Sequence, residues 1–393
     1  MKEFTVLMAL LMSIVAISID AMLPALGFVA ADLHVANPNH TQFVISFLFM
    51  GMTLGQLVCG PLSDALGRRT VLFGGLALYL AGSVLCFLAP TFHLLLLGRL
   101  IQGLGVAGPY VSTVSIVRDR YAGRDMARVM SLVMMIFMLV PALAPSIGQV
   151  ILRVADWRAI FLLYIGYAII VGIWIRIRLP ETLSRENRIP FKGVNLIHGF
   201  KEIVRNRLTI SYTLCMGICF GSLIGYLNSS QQIFQVQFGV GEDFALYFGG
   251  LALVLGVASL CNSRMVQRLG MRHICLRAIL NVVISSALFL ALHLFVEIEL
   301  WMFMTYAVLL FFSFGLMFGN LNSMAMEPMG HIAGIASAVI GSMSSAISMT
   351  VGSFIGQLYN NTLIPMAAGF LLLGTLSFVI MRYAARQPLE MAK

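Results

Sequence analysis

Two ionisable residues stand inside apolar runs, where a charge is expensive. Asp20 lies within the stretch from Phe4 to Phe28, and Arg99 lies in a second run that continues as GRLIQGLGVAGPY. A charge at a bilayer centre costs at least ~2.5–3.5 kcal/mol, so each residue marks a candidate functional site. At the rise of an α-helix, Arg99 sits ~9 Å from the outer end of its run, and Asp20 lies at a similar depth in its own. Facing one another across a bundle, directly or through water and Gln102, the two would offset part of each other's desolvation. Burial favours a neutral carboxyl group and a nearby Arg favours the charged one, so an acid whose water access alternates can load a proton on one side and release it on the other. Asp20 is the candidate proton site and Arg99 its partner. The plainer reading of Asp20 is a structural acid that ties helices together through a hydrogen bond.

The chain around these residues is built for a membrane. Hydrophobic residues make up 60% of the 393 and charged residues 10%, with a mean hydropathy of +0.94, against roughly 45–50% apolar in a soluble globular protein. The first run exceeds the ~7–15 apolar residues of a signal peptide, and many equally apolar runs follow it. Spans long enough to cross a bilayer fall near 4–29, 41–61, 70–89, 93–117, 129–152, 158–178, 208–230, 244–262, 274–294, 300–323, 333–357 and 365–383. With both termini inside, 22 of the 25 Lys and Arg residues lie on the inner side, Arg153 and Arg158 lie on the outer side, and Arg99 is within a span. That asymmetry satisfies the positive-inside rule for an even number of spans. The net charge of +9 is spread over short loops, which argues against a nucleic-acid partner.

The expected fold class is an all-α polytopic membrane protein with twelve transmembrane helices in two halves: a six-helix bundle over 1–178, a cytoplasmic linker over 179–207 and a second six-helix bundle over 208–393. The linker is basic. Phe200, Ile203 and Val204 would let part of it lie on the inner membrane surface as an amphipathic helix, and a solvated linker reads equally well. The halves look like a diverged duplication: GPLSDALGRRT after span two and NSRMVQRLGMRHI after span eight align Gly67 with Gly270, an offset of 203 residues. Duplicated halves around a midplane cavity are a recurring transporter plan. At that offset Asp20 meets Leu223, Arg99 meets Met302 and Asp64 meets Gln267, which puts the charged chemistry in the first half.

Three further stretches carry signals. In the loop from Gly60 to Thr70, Pro61 and Gly67 suit a tight turn, Arg68 and Arg69 anchor the inner face, and Asp64 is placed to complement a helix N-terminus or pair with a base. This is the chemistry of a charged gate latch, or of a loop that merely sets topology. Gly98, Gly103, Gly105 and Gly108 around Arg99 allow close helix approach. PALAPSIG, with Pro141, Pro145 and Gly148, reads as a hinge in span five or as close packing. The six Cys lie in or at the ends of apolar segments without CxxC spacing, and the seven His are scattered near loops without HExxH, so no metal site and no membrane-embedded enzyme are expected. Candidates to soften an otherwise apolar substrate cavity are Gln102, Tyr110, Tyr212, Tyr226, Asn228, Gln231, Asn320 and Asn322.

GPLSDALGRR resembles the inner-loop signature of the major facilitator superfamily. Asp20 with Leu23 and Pro24, RLIQGLG, DWRAIF, LPET and AMEPMGHIAGIASAVIG together look like its bicyclomycin and chloramphenicol resistance (Bcr/CflA) drug:H+ antiporters. The resemblance implies two domains that rock between inward-open and outward-open states, with Asp20 as proton carboxylate, Arg99 as its partner and Asp64 in a latch able to contact the start of span eleven. It also implies a monomer in the inner (plasma) membrane that works on small molecules, with the proton gradient as energy source and no cofactor. Ala65 stands where the family commonly has a base, and span one holds no second acid. The function so expected is proton-coupled export of small, largely apolar drugs or toxic compounds by alternating access. The alternatives are dedicated export of one endogenous metabolite or siderophore, nutrient uptake, and, outside transport, a membrane-embedded receptor or scramblase.

Overall fold

The structure, a computed structural model, describes residues 2–121, 123–188 and 193–384. Among these residues all regular structure is helical. Eleven helices are long and apolar enough to cross a membrane, and a shorter apolar stretch, Leu139–Val154, lies in a further long helix. The chain is thus an all-α polytopic membrane protein.

Two compact units divide it. One comprises Met1–Gly193 together with Gly241–Gly250, and the other comprises Val194–Val240 with Leu251–Lys393. The first unit contains α1 (Lys2–Asp20), α2 (Leu26–Asp32), α3 (Phe43–Leu66), α4 (Arg68–Phe87), α5 (Phe92–Arg120), α6 (Gly123–Val154) and α7 (Ala159–Arg178). Here α5 packs between α3 and α4 and also meets α1. The glycines of α5 make this possible: a Cβ on Gly103 would come 2.1 Å from the Leu48 carbonyl of α3, and one on Gly105 would come 2.3 Å from the Tyr79 nitrogen of α4. Backbones so close leave room only for hydrogen, and α5 becomes the axis of the unit.

The second unit holds α8 (Gly193–Arg205), α9 (Arg207–Gln231), most of α10 (Phe244–Leu269), α11 (Met271–His293), α12 (Leu300–Met326), α13 (Ala333–Gln357) and α14 (Ile364–Ala384). Here α9 is the axis, packed against α12, α13 and α14. The amphipathic α8 forms within the linker. Its Ile203 is buried, and a Cβ on Gly199 would come 2.3 Å from Ile335 of α13, whereas Ile197, Phe200 and Val204 are exposed.

Helix starts follow local chemistry. The Thr91 hydroxyl accepts from the Leu94 N–H at the start of α5, and the Asn206 amide oxygen accepts from the Thr209 N–H at the start of α9. One expected turn is corrected. Pro61 lies inside α3, which runs on to Leu66, and the chain reverses at Gly67 alone, whose φ of 103° a side chain would strain. The α10–α11 connection repeats the device at Gly270, with φ of 76°.

Candidate functional site

The first span is not one helix. It stops at Asp20, passes through a 3-10 turn at Leu23–Ala25 and resumes as α2. Pro24 has no N–H to return to the Asp20 carbonyl, so the helical ladder fails at this residue. The break frees carbonyls of the last turn. Ser18 O accepts from Arg99 Nη2 at 2.9 Å and from the Tyr164 hydroxyl at 3.3 Å. Arg99 is fully buried, and each of its other two nitrogens also has a partner: Nε donates to Val44 O at 2.9 Å and Nη1 to Gln102 Oε1 at 2.7 Å. Gln102 in turn donates to Ser83 Oγ at 2.8 Å, and the Ser18 and Tyr79 hydroxyls meet at 2.6 Å. The guanidinium therefore caps the negative end of α1, where the helix dipole favours a cation.

Asp20 is buried, with 4% of its surface exposed, and the described residues offer it neither a hydrogen bond nor an ion pair. Of the two arrangements expected, a direct Asp20–Arg99 pair or one through water and Gln102, the direct pair is not formed among the described residues, and Gln102 bonds Arg99. Depth along a helix is set by residue count, but facing is set by angle. Ser18, which meets Arg99 through its carbonyl, and Asp20 are two residues apart and do not share a face. Asp20 lies instead within electrostatic range of Tyr164. From the other side, α6 abuts the break: a Cβ on Gly148 would come 2.0 Å from Ala21 O. α6 itself runs as one helix through Pro141 and Pro145, so Gly148 is a point of close approach.

A second constellation lies at the basic end of the first unit. Arg68 is buried and pairs with Asp64 one turn before it and with Asp119 of α5 at 2.8 Å. The Glu181 carboxylate accepts from the N–H groups of Arg68 and Arg69, both at 3.1 Å, at the start of α4. Arg69 donates to the Arg176 carbonyl at 2.9 Å, and Gly67 is hemmed in by Glu181, 2.7 Å from where its Cβ would be. Gly60 lies within α3. Arg68, read from sequence as an anchor at the inner face, is thus the buried centre of a charge cluster whose acids Asp64 and Glu181 reach solvent. Asp119 and Glu181 were not singled out by sequence reasoning. Asp119 was signalled only by its place between Arg118 and Arg120 at the end of span four, and Glu181 by its place in the LPET motif after span six. At the opposite end, Trp157 Nε1 donates to Asp32 at 3.2 Å, and Arg158 reaches Asp32 at 2.6 Å and Asp156 at 3.2 Å, which ties α2 to the start of α7.

The cavity candidates scatter. Gln102 belongs to the Arg99 cluster, and Tyr110 is half-buried on α5. Asn320 is spoken for by Asn262, to which it donates at 2.7 Å, and Asn322, two residues on, is exposed. Gln231 donates to Gln235 at 3.0 Å, and Tyr226 packs edge-on against Phe311. Asn228 is 1% exposed, and neither Oδ1 nor Nδ2 of its amide finds a partner among the described residues. Tyr212 lies at the basic end of the second unit, in a pocket with Arg272 and Glu327.

The family model of the Major Facilitator Superfamily matches residues 8–353. The chain belongs to the major facilitator superfamily. It is 29% identical over 367 residues to the uncharacterized MFS-type transporter YdgK of Bacillus subtilis, covering 90% of this chain and 88% of that one. It is 27% identical to the bicyclomycin resistance protein homolog of Haemophilus influenzae (88% and 87% covered) and 27% identical to the multidrug resistance protein MdtL of Salmonella paratyphi B (87% and 85% covered). In fold it is similar to the xylose transporter XylE of E. coli in a partially occluded inward-open conformation, with a TM-score of 0.75, 12% identity, and 98% and 99% of the two chains covered. The protein is a multi-pass membrane transporter of the superfamily and not an enzyme.

Proposed function

We propose that the protein exports small, largely apolar compounds in exchange for protons, by alternating access, in the inner membrane with both termini in the cytoplasm. The observation that carries this reading is Asp20: a buried carboxyl group at a helix break, without a hydrogen bond or ion pair among the described residues, two residues from the Ser18 carbonyl that Arg99 holds. A buried ionised carboxylate without a partner is costly, so its charge state is tied to whether water reaches it, which is what a proton carrier needs. Arg99 then acts as a fixed cation that holds the broken end of α1 in place beside the acid. The resistance proteins among the relatives favour drug-sized cargo. Asn228 is the substrate contact we favour, because an unpartnered buried amide costs ~1–3 kcal/mol, and a ligand presenting a matching donor and acceptor would remove that cost.

The test is substrate-induced proton release from the purified protein across a panel of hydrophobic antibiotics and dyes. Wild type should release protons on binding its substrates, and Asp20→Asn should bind them without release. Equal release by both proteins would remove Asp20 from the coupling.

A further inference from the structure

At the basic end of the second unit a pocket of about 560 Å³ opens at the start of α11. Its wall includes Gly270, Met271, Arg272 and His273 from the first turn of α11, Tyr212 from α9 and Glu327 just past α12. The equivalent corner of the first unit shows what such a place holds. There Gly67 precedes α4 as Gly270 precedes α11, and the first N–H groups of α4 are taken by the Glu181 carboxylate. At the 203-residue offset the position of Glu181 is Ala384 and that of Arg68 is Met271, so neither the capping acid nor the filling guanidinium is repeated. Among the described residues no side chain accepts from the N–H groups of Met271, Arg272 or His273. Tyr212 is 8% exposed, lines the pocket and makes no hydrogen bond among the described residues, while lying within electrostatic range of both Arg272 and Glu327.

We propose that this pocket binds the phosphate-and-amine headgroup of a zwitterionic phospholipid. The free N–H groups of a helix start, an Arg and a tyrosine hydroxyl form an anion site suited to a phosphate. Glu327 on the same wall repels a purely anionic ligand and supplies a partner for an ammonium. The apolar side favours a lipid over a free metabolite: Leu276 lines the pocket, and Leu280, Ile284 and Leu288 continue from it along one exposed face of α11, a track for an acyl chain. The basic residues Arg207, Arg264 and Arg268 flank this end, which sets it at headgroup level. The inference does not depend on what the protein transports.

Native mass spectrometry of the detergent-purified full chain, titrated with phosphatidylethanolamine, phosphatidylglycerol or free phosphoethanolamine, tests it. Wild type should retain one phosphatidylethanolamine, and Arg272→Gln and Tyr212→Phe should each weaken retention, the former by about tenfold or more, as expected for a lost charge-assisted hydrogen bond. Glu327→Gln should reduce the preference for phosphatidylethanolamine over phosphatidylglycerol. Millimolar free phosphoethanolamine should fail to displace the lipid, because the acyl track contributes to retention; displacement would overturn the lipid as occupant and leave a free headgroup-like metabolite. Unfolding midpoints without lipid identify any variant that fails to fold, in which case the remaining variants decide. Retention unchanged in Arg272→Gln and Tyr212→Phe, or an unaltered lipid preference in Glu327→Gln, would overturn the proposal.

Discussion

Laid over one another at the 203-residue offset suggested by Gly67 and Gly270, the two halves of this transporter differ most where the first is charged. In the first unit Arg99 caps a broken helix and Arg68 knits Asp64 to Asp119, with Glu181 over the start of α4. At the same offset the second unit has Met302, Met271, Gln267, Asn322 and Ala384, and Leu223 in place of Asp20. The second half therefore does without these charges at the aligned positions, so the scaffold itself does not require the charges of the first. The first unit retains them at a cost in desolvation, which is the expected mark of function.

Exchanging residues along the offset makes the comparison quantitative. The largest effect is expected from Arg99→Met, which leaves Gln102 and the Ser18 carbonyl short of a donor in a dry interior; the first unit should lose about 3 kcal/mol or more, read from unfolding in detergent. An unchanged midpoint would mean that the cluster contributes nothing to the fold. Arg68→Met should cost less, about 1.5–3 kcal/mol, because Asp64 is partly exposed and water can reach it. Gly148→Val, the residue at Val351, drives a side chain into Ala21 O and should cost about 1–3 kcal/mol, while Gly166→Ala, where nothing lies within 4 Å, should be neutral or gain up to about 1 kcal/mol. If both glycine variants behave alike, the close approach at the helix break is not real. The smallest effect is expected from Asn228→Ala, the residue at Ala25. No hydrogen bond is lost, so stability should change by less than about 1 kcal/mol while substrate affinity falls. A large destabilisation would show that the amide serves the fold and not a ligand.

Much of this was legible in the sequence. The spans follow from runs of apolar residues, and the depth of Asp20 and Arg99 follows from counting along them. What counting cannot supply is direction. It gave no sign that Arg99 would be taken up by carbonyls and Gln102 and not by Asp20, although Pro24 was a visible reason for α1 to fail where it does. Asp119 and Glu181 meet Arg68 only because α4, α5 and the segment after α7 converge, a matter of tertiary packing that a local motif does not contain. Pro61 looked like a turn because proline often marks one, but a helix whose neighbours satisfy its freed carbonyls carries it through.

The central claim is that Asp20 couples transport to protons, and transport in proteoliposomes tests it most directly. Substrate flux is measured with and without an imposed pH gradient for wild type and Asp20→Asn. The account predicts that the gradient accelerates wild type severalfold, while the variant exchanges substrate for substrate at a rate the gradient does not alter. A variant that still answered to the gradient as wild type does would contradict it.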